Sequence, residues 1–97
     1  MGAIYRRQLS REDVETGTVL IRKDRWRMFP PPLVEFEVEV AGARFRTTIV
    51  PEECSCVGPP HQHYHLEAGH FRHLLPFEPG RTIRIERTSA GYRVAGE

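Results

Sequence analysis

The chain of 97 residues has no long apolar run. No stretch approaches the roughly 18 residues that a membrane-spanning helix requires. The first residues, MGAIYRRQLSRED, lack the apolar segment of a secretion signal, and Arg6 stands where the N-myristoylation pattern requires Ser or Thr. The sequence also lacks internal repeats, linkers and low-complexity tracts. We therefore expect one cytoplasmic domain spanning residues 1–97, with no membrane contact.

Cysteine is scarce, and the two that occur, Cys54 and Cys56, are separated by one residue. In the cytoplasm both should be reduced thiols. A disulfide between them would close a very small, strained ring, so we expect none. The thiols are therefore available as metal ligands.

Lysine is almost absent, because thirteen of the fourteen basic residues are arginine. The net charge of only +1 is no general sign of a nucleic-acid partner. Two explanations of the arginine excess stay open at this point. Arginine forms flat bidentate contacts with phosphate and carboxylate, and it is also the residue that a GC-rich genome favours.

Alternating residues predict a β-hairpin over positions 34–50. VEFEVEV alternates apolar residues with glutamate, and RFRTTIV forms the second strand. Gly42-Ala43 would form a type II′ turn. The resulting register would pair Val40 with Phe45, Glu39 with Arg46, Val38 with Thr47 and Phe36 with Ile49.

The rest of the chain predicts short strands and shorter helices. A second hairpin pairs Ile85 with Val94 and Glu86 with Arg93 around the turn Ser89-Ala90. Thr18 to Ile21 predicts a strand, Ser10 caps one or two helical turns that end before Gly17, and Leu66 to Leu75 predicts a short helix that Pro76 stops. The expected fold is mainly β: a small single-domain β-barrel or pseudobarrel of five to six strands, with one or two short helices.

The stretch CSCVGPPHQHYH places both cysteines and three histidines within twelve positions. If residues 57–60 connect two strands, the thiols and imidazoles share one face, while Tyr64 and Leu66 turn towards the core. The expected pairs are Cys56 with His61, Cys54 with His63 and Glu52 with His65. Two thiolates and two imidazoles suit tetrahedral zinc. Cys54, Cys56, His61 and His63 are the predicted ligands, with His65 as a substitute.

Two other interpretations of this stretch remain open. It is also compatible with a solvated polar hairpin whose histidines do no chemistry. A cysteine nucleophile paired with a histidine would need a lowered thiol pKa and an oxyanion hole, and nothing in the sequence indicates either.

The segment IRKDRWRMFPPP predicts a nucleic-acid contact. Its cations supply phosphate contacts, and the indole offers a stacking surface to an unpaired base. Arginines on the wet face of the first hairpin would extend this surface. Alternatively, Trp26, Met28 and Phe29 belong to the core and the arginines only solvate its edge. The candidate residues are Arg22, Lys23, Arg25, Trp26, Arg27, Arg44 and Arg46.

The order of elements from about Phe36 to Glu86 resembles the DNA-binding pseudobarrel group. A hairpin that ends FRTTIVP is followed by HYHL, then by a short FRHLL helix, then by PGRTIRIE. Plant B-three-type transcription-factor domains and restriction-endonuclease effector domains belong to this group. The resemblance implies a β-barrel that lays loops and strand edges into the major groove, where arginines read guanine edges. Arg22 to Arg27, Arg44 and Arg46 are the matching candidates.

A second resemblance covers about ten residues. His61-x-His63 followed by Glu67 is similar to the first motif of the cupins, whose metal lies inside a small β-barrel. The cupins also need a later histidine, and the last one here is His73. This resemblance implies a metal-dependent enzyme, although the completing ligand is missing.

The sequence thus favours a small non-enzymatic module that contacts nucleic acid through an arginine-rich face, with zinc bracing the Cys/His hairpin. A cupin-like enzyme and a protein-interaction accessory domain are the alternatives. Unpaired edge strands in so small a barrel also offer a surface for a homodimer.

Overall fold

The computed structural model describes residues 3–54, Gly58 and residues 61–97, with Cys54 described in its backbone only. Within these residues the chain forms eight strands, one α-helix and two 3₁₀ helices. In chain order the elements are β1 (Ile4–Gln8), α1 (Arg11–Thr16), β2 (Thr18–Ile21), the first 3₁₀ helix (Lys23–Met28), β3 (Phe36–Val40), β4 (Ala43–Thr47), β5 (Ile49–Cys54), β6 (His61–Glu67), the second 3₁₀ helix (Arg72–Leu74), β7 (Thr82–Thr88) and β8 (Gly91–Gly96).

The strands form two sheets. One has the order β1-β7-β8-β3-β4 and the other the order β2-β6-β5. Neighbouring strands are antiparallel, except β3 and β8, which run parallel. The predicted mainly β pseudobarrel is therefore confirmed, with eight strands in the described residues where five to six were expected. The additional strands include β1, which was not predicted, and RFRTTIV, predicted as one strand, divides between β4 and β5 at Thr48.

The core lies between the sheets and draws side chains from both. Burial of each large apolar side chain stabilises the fold by about 1.5–3 kcal/mol. The largest fully buried side chains are Tyr5, Phe71, Ile49, Leu66, Ile83, Ile85, Val19, Val38, Val40 and Val94. Their alternation along each strand leaves the outer face of each sheet to polar residues.

The first hairpin turns one residue earlier than predicted. Its turn is Ala41-Gly42, with φ of 52° and 83°. Positive φ at both central residues belongs to a type I′ turn, not to the predicted type II′. The register therefore shifts by two, so that Val38 faces Phe45 and Glu39 faces Arg44. Because strand side chains repeat with period two, every residue keeps its predicted face.

The second hairpin and the first helix form as predicted. Ile85 pairs with Val94 and Glu86 with Arg93, around the turn at 89–90. Ser10 caps α1 by accepting a hydrogen bond from the backbone N–H of Asp13, whose carboxylate accepts one from the Ser10 N–H in return. This reciprocal capping box satisfies two N–H groups that would otherwise lack partners.

The predicted helix over Leu66 to Leu75 is wrong for most of its length. Leu66 belongs to β6, where it pairs with Val19 and Ile49 and is fully buried. Only Arg72–Leu74 is helical, as a single 3₁₀ turn. Phe71 is fully buried, whereas Leu74 is 39% exposed. Sheet pairing on both sides of β6 outweighs the weak helical preference of this segment.

A tyrosine hydroxyl connects the two sheets where β1 passes beside β2. Tyr5 is 1% exposed. Its hydroxyl donates to the carbonyl of Leu20 at 2.6 Å and accepts from the N–H of Arg22 at 3.3 Å. β1 and β2 belong to different sheets and form no backbone hydrogen-bond ladder. The Tyr5 hydroxyl joins them instead. None of the helices in the described residues has the length and apolar character that crossing a membrane requires.

Candidate nucleic-acid interface

The histidines of β6 lie on the outer face of the three-stranded sheet. His61, His63 and His65 alternate with Tyr64 and Leu66, and Leu66 lies in the core. The shared face that the sequence predicted for the histidines is therefore present.

The register of this hairpin differs from the predicted one. Cys54 is opposite His61, and Glu52 is opposite His63. The prediction had placed Cys54 opposite His63 and Glu52 opposite His65, so the pairing is shifted by two residues. Cys56 and the connection at 57–60 lie outside the described residues, apart from Gly58.

A cleft of about 280 Å³ opens over this outer face. Its floor is formed by β2, β5 and β6, and its wall by the end of β1 and the start of α1. The lining residues are Arg7, Ser10, Glu12, Asp13, Leu20, Glu52, His63 and His65. A concave surface lined by a few convergent polar groups is typical of a binding site.

The wall of the cleft is held by a buried ion pair. Arg7 Nε donates to Asp13 Oδ2 at 2.9 Å, and their side chains are 22% and 3% exposed. The same carboxylate oxygen accepts the N–H of Ser10. The cap at Ser10 was predicted from the sequence, but the role of Arg7 was not, because β1 itself was missed. The capping box therefore fixes both the start of α1 and the orientation of an arginine at the cleft.

The floor holds imidazoles with unusual surroundings. His65 Nδ1 lies 3.4 Å from the hydroxyl of Thr18. Its Nε2 is buried and has no hydrogen-bond partner in the described part of the chain. The rings of His61 and His63 meet edge to face, with centroids 4.7 Å apart.

The predicted basic segment forms the first 3₁₀ helix, at the end of β2. The Trp26 ring stacks on Tyr64 at 3.9 Å, and its Nε1 donates to the carbonyl of Ile21 at 3.1 Å. Met28 and Phe29 are buried, as the alternative interpretation expected. The indole is therefore half-buried and packs against the core instead of standing free as a platform for bases.

The cations of this segment differ in exposure. Arg22, Lys23 and Arg27 are exposed, while Arg25 is partly buried and its Nε has no partner in the described residues. Arg22 pairs with Asp24 at 3.4 Å. Lys23 and Arg27 have no ion pair within the described part of the chain. These two are therefore the cations of this segment most available to a phosphate.

The two predicted arginines of the first hairpin face carboxylates. Arg44 Nη1 lies 3.3 Å from Glu37, and Arg46 Nη1 lies 3.8 Å from Glu35. On the same sheet, Arg93 lies between Glu39 and Glu86. We call this set of acidic and basic side chains the charge ladder. Its alternating signs cancel locally, so this face carries little net positive charge.

The described residues contain no group of three or more His, Cys, Asp or Glu side chains that could hold a metal ion. Glu67, the acidic residue of the cupin-like motif, accepts the N–H of Gly69 at 2.7 Å. The cysteine side chains lie outside the description, so the zinc site stays a prediction.

Comparison with known proteins identifies a fold relative. No protein-family model matches the sequence, and no curated protein matches it significantly. The structure is similar to that of Arabidopsis FUS3, solved as a complex with DNA, with a TM-score of 0.75. The match covers 96% of this chain and 94% of that chain at 13% sequence identity. At this identity the likeness establishes the pseudobarrel fold that the sequence resemblance implied.

Proposed function

We propose that the protein is a small non-enzymatic module that binds nucleic acid in the cleft between α1 and the three-stranded sheet. The observation that carries this proposal is the fold shared, over nearly the whole of both chains, with a protein solved in complex with DNA. Fold alone does not determine function. Further support must come from the side chains that the cleft and the first 3₁₀ helix present to a nucleic acid.

The first 3₁₀ helix and the cleft carry the two kinds of group that such binding requires. Arg22, Lys23 and Arg27 are exposed beyond the end of β2, whose Leu20 lies in the cleft floor. Exposed cations of this kind contact phosphates and position the protein. Inside the cleft, Arg7 and Glu52 have the chemistry of base readers, since arginine binds guanine edges and carboxylates accept from cytosine.

A duplex fits this surface better than a single strand does. Binding of unpaired bases relies on exposed aromatic rings. All nine aromatic residues are buried or half-buried. Trp26, the ring that the sequence suggested for stacking, already stacks on Tyr64. We therefore assign the partner as double-stranded nucleic acid, bound through phosphates and groove edges.

Salt dependence of binding tests this proposal. The affinity for a short labelled DNA duplex is measured by fluorescence anisotropy between about 50 and 200 mM salt. The logarithm of the association constant should fall linearly with the logarithm of the salt concentration, with a slope of about −0.9 for each phosphate contact. Replacing Lys23 and Arg27 with alanine should reduce the size of that slope by about two.

Two further variants sharpen the test. Arg81→Ala is the matched control, because Arg81 is exposed just before the start of β7. Arg87, near the end of β7, is less suitable, because its side chain donates a hydrogen bond to the carbonyl of Met28. Arg81→Ala should leave the slope unchanged. Arg44→Ala with Arg46→Ala tests the charge ladder as part of an arginine-rich face, and a reduction of about two would assign phosphate contacts there as well. Absence of duplex binding at low salt would refute the proposal and favour a protein-interaction domain.

A structural zinc ion is a separate proposal, resting on ligand chemistry. The register places Cys54 opposite His61, and the rings of His61 and His63 are adjacent. Thiolate and imidazole ligands suit tetrahedral zinc. Such an ion would brace the end of the β5–β6 hairpin beside the cleft and supply no chemistry of its own.

A further inference from the structure

The two most exposed large apolar side chains of the described residues are neighbours in the chain. Leu33 is 69% exposed and Val34 is 49% exposed. They form the tip of the connection between the first 3₁₀ helix and β3. Single exposed leucines are common on protein surfaces, so exposure alone assigns no role to this tip. The backbone conformation of Leu33 is what sets it apart.

Leu33 has a backbone conformation that favours glycine, with a φ of 68°. The N–H of Val34 donates to the carbonyl of Pro31 at 3.3 Å, which closes a four-residue turn around Pro32 and Leu33. Proline at the second position and positive φ at the third are features of a type II turn, whose third position normally holds glycine or asparagine. A leucine at this position is strained, and strain of this kind is concentrated at functional sites.

The tip is fixed beside the edge of the three-stranded sheet. The N–H of Leu33 donates to the carbonyl of Ile49 at 2.9 Å, at the start of β5. In that sheet β5 is the outer strand on the side away from β2. Upstream of the tip, Phe29 is buried and stacks on Tyr92, and three prolines follow it. These restraints keep the leucine exposed.

The tip and the wall of the cleft lie on opposite sides of the cleft floor. The wall, formed by the end of β1 and the start of α1, packs beside β2, whereas the tip lies beside β5. Strands are about 5 Å apart, so the tip is about 15 Å from β2 across the sheet. Adjacent major and minor grooves on one side of a duplex are about 17 Å apart, which is half a helical turn. A duplex with its major groove over the wall side of the cleft would therefore present the neighbouring minor groove to Leu33.

We infer that Leu33 is an apolar wedge that enters the base stack of a bound duplex from the minor groove and bends it. This inference rests on the proposed function and adds the form in which the nucleic acid is bound. Minor-groove proteins insert leucine and similar side chains between base pairs, and wider contact with the bent duplex offsets the cost of unstacking. A tip of two side chains suits this role, whereas a protein interface needs about 20–30 residues from each partner. Glu35, the acidic residue that follows the tip, is compensated by Arg46 at 3.8 Å.

The bend is measured by energy transfer between dyes at the two ends of a duplex of about 25 base pairs. The unsubstituted protein should bend this duplex by about 20–90°. Leu33→Asn replaces the apolar side chain with one that tolerates positive φ. This variant should lose most of the bend while its Tm rises by about 4–8 °C, because the strain is relieved. Leu33→Met keeps an apolar side chain and should retain most of the bend.

Ala41→Asn is the matched control. Ala41 is the other non-glycine residue of positive φ in the described part of the chain, and it lies in the exposed turn of the first hairpin. Since Asn-Gly is the favoured pair of a type I′ turn, this variant should also gain stability. Its bend should equal that of the unsubstituted protein. A gain in Tm for both variants, with loss of the bend in Leu33→Asn alone, assigns the bend to the leucine side chain.

A mismatched duplex provides a second readout. A mismatch at the centre of the duplex lowers the cost of unstacking, so the unsubstituted protein should bind it about tenfold more tightly than the matched duplex. Leu33→Asn should bind both duplexes about equally.

The outcomes separate this inference from the proposed function. Steeply salt-dependent binding of a duplex that stays straight would overturn the inference and keep the function. A bend that survives in Leu33→Asn would also overturn it, as would its loss in Ala41→Asn. If Leu33→Asn leaves the bend unchanged but abolishes self-association in sedimentation analysis, the leucine contacts a second copy of the chain and the inference is wrong. Absence of duplex binding at low salt would refute the proposed function itself.

Discussion

The hydroxyl of Tyr5 should be a main determinant of stability, because it closes the gap between the sheets. Tyr5→Phe removes one oxygen and keeps the ring in the core. The carbonyl of Leu20 and the N–H of Arg22 would then lose the partner they have at 2.6 and 3.3 Å. A lost hydrogen bond that leaves partly buried groups unsatisfied costs about 1–3 kcal/mol. For a domain of this size, that lowers Tm by about 5–15 °C.

The assay is urea denaturation followed by circular dichroism and by fluorescence of the single tryptophan. Tyr64→Phe is the matched control. The Tyr64 ring is half-buried against Trp26, and its hydroxyl has no hydrogen bond within the described residues. Its removal should change the free energy of unfolding by less than about 0.5 kcal/mol. Equal stabilities of the two variants would show that the Tyr5 hydroxyl does not hold the sheets together.

Three further predictions concern the cap, alkaline stability and metal. Asp13→Ala removes the acceptor of Arg7 and of the Ser10 N–H. In urea denaturation it should lower the free energy of unfolding by about 2–3 kcal/mol, whereas Ser10→Ala should lower it by about 1 kcal/mol. Equal losses in the two variants would contradict a role for the ion pair. Burial raises the pKa of Tyr5 and of Tyr92 above the ordinary value of 10.0. The folded state thus favours the neutral phenols, and stability should be complete below pH 10 and fall as pH rises above it. Tyr5→Phe should weaken that fall in a pH series of urea midpoints, and an unchanged fall would contradict this assignment. If the predicted site exists, elemental analysis of protein purified without a histidine tag should find about one zinc per chain, and the Cys54→Ser variant should contain none. Metal-free protein that remains fully stable would contradict the site.

The strands and their faces could be predicted because the alternation of apolar and polar residues along a strand reflects which side chains are buried. VEFEVEV and TIRIE each show which residues face the core, and the structure buries Val38, Val40, Ile83 and Ile85. By contrast, β1 was missed because IYRRQ contains no such alternation beyond Tyr5. The cleft wall depends on β1, so Arg7 was also missed. A site made by a long-range sheet contact leaves no local signal.

The register of a hairpin could be predicted only where a shift by two residues would replace favourable cross-strand pairs with unfavourable ones. In β4, arginines at 44 and 46 allow Glu39 to face an arginine in either of two registers, and the turn Ala41-Gly42 selects one. In the β5–β6 hairpin, the two cysteines are two positions apart and so are successive histidines of β6. A shift of the register by two residues therefore still sets cysteine against histidine, and the sequence could not select between the two registers. In the last hairpin, a shift by two would place Arg93 against Arg84 instead of Glu86, and this pairing was predicted correctly.

The same periodicity decides which arginines can bind a phosphate. On β3 and β4, every register that keeps the apolar faces inward also sets arginines against glutamates, so the cations of this sheet are compensated whichever register forms. The structure shows this outcome in the charge ladder. The first 3₁₀ helix contains one acidic residue, Asp24, which pairs with Arg22 and leaves Lys23 and Arg27 without an ion pair within the described part of the chain. A phosphate that approaches the ladder must compete with carboxylates, whereas one that approaches Lys23 and Arg27 meets no carboxylate paired with either cation in the described part of the chain. The salt slope should therefore depend more on these two cations than on Arg44 and Arg46, although all four were equal candidates in the sequence.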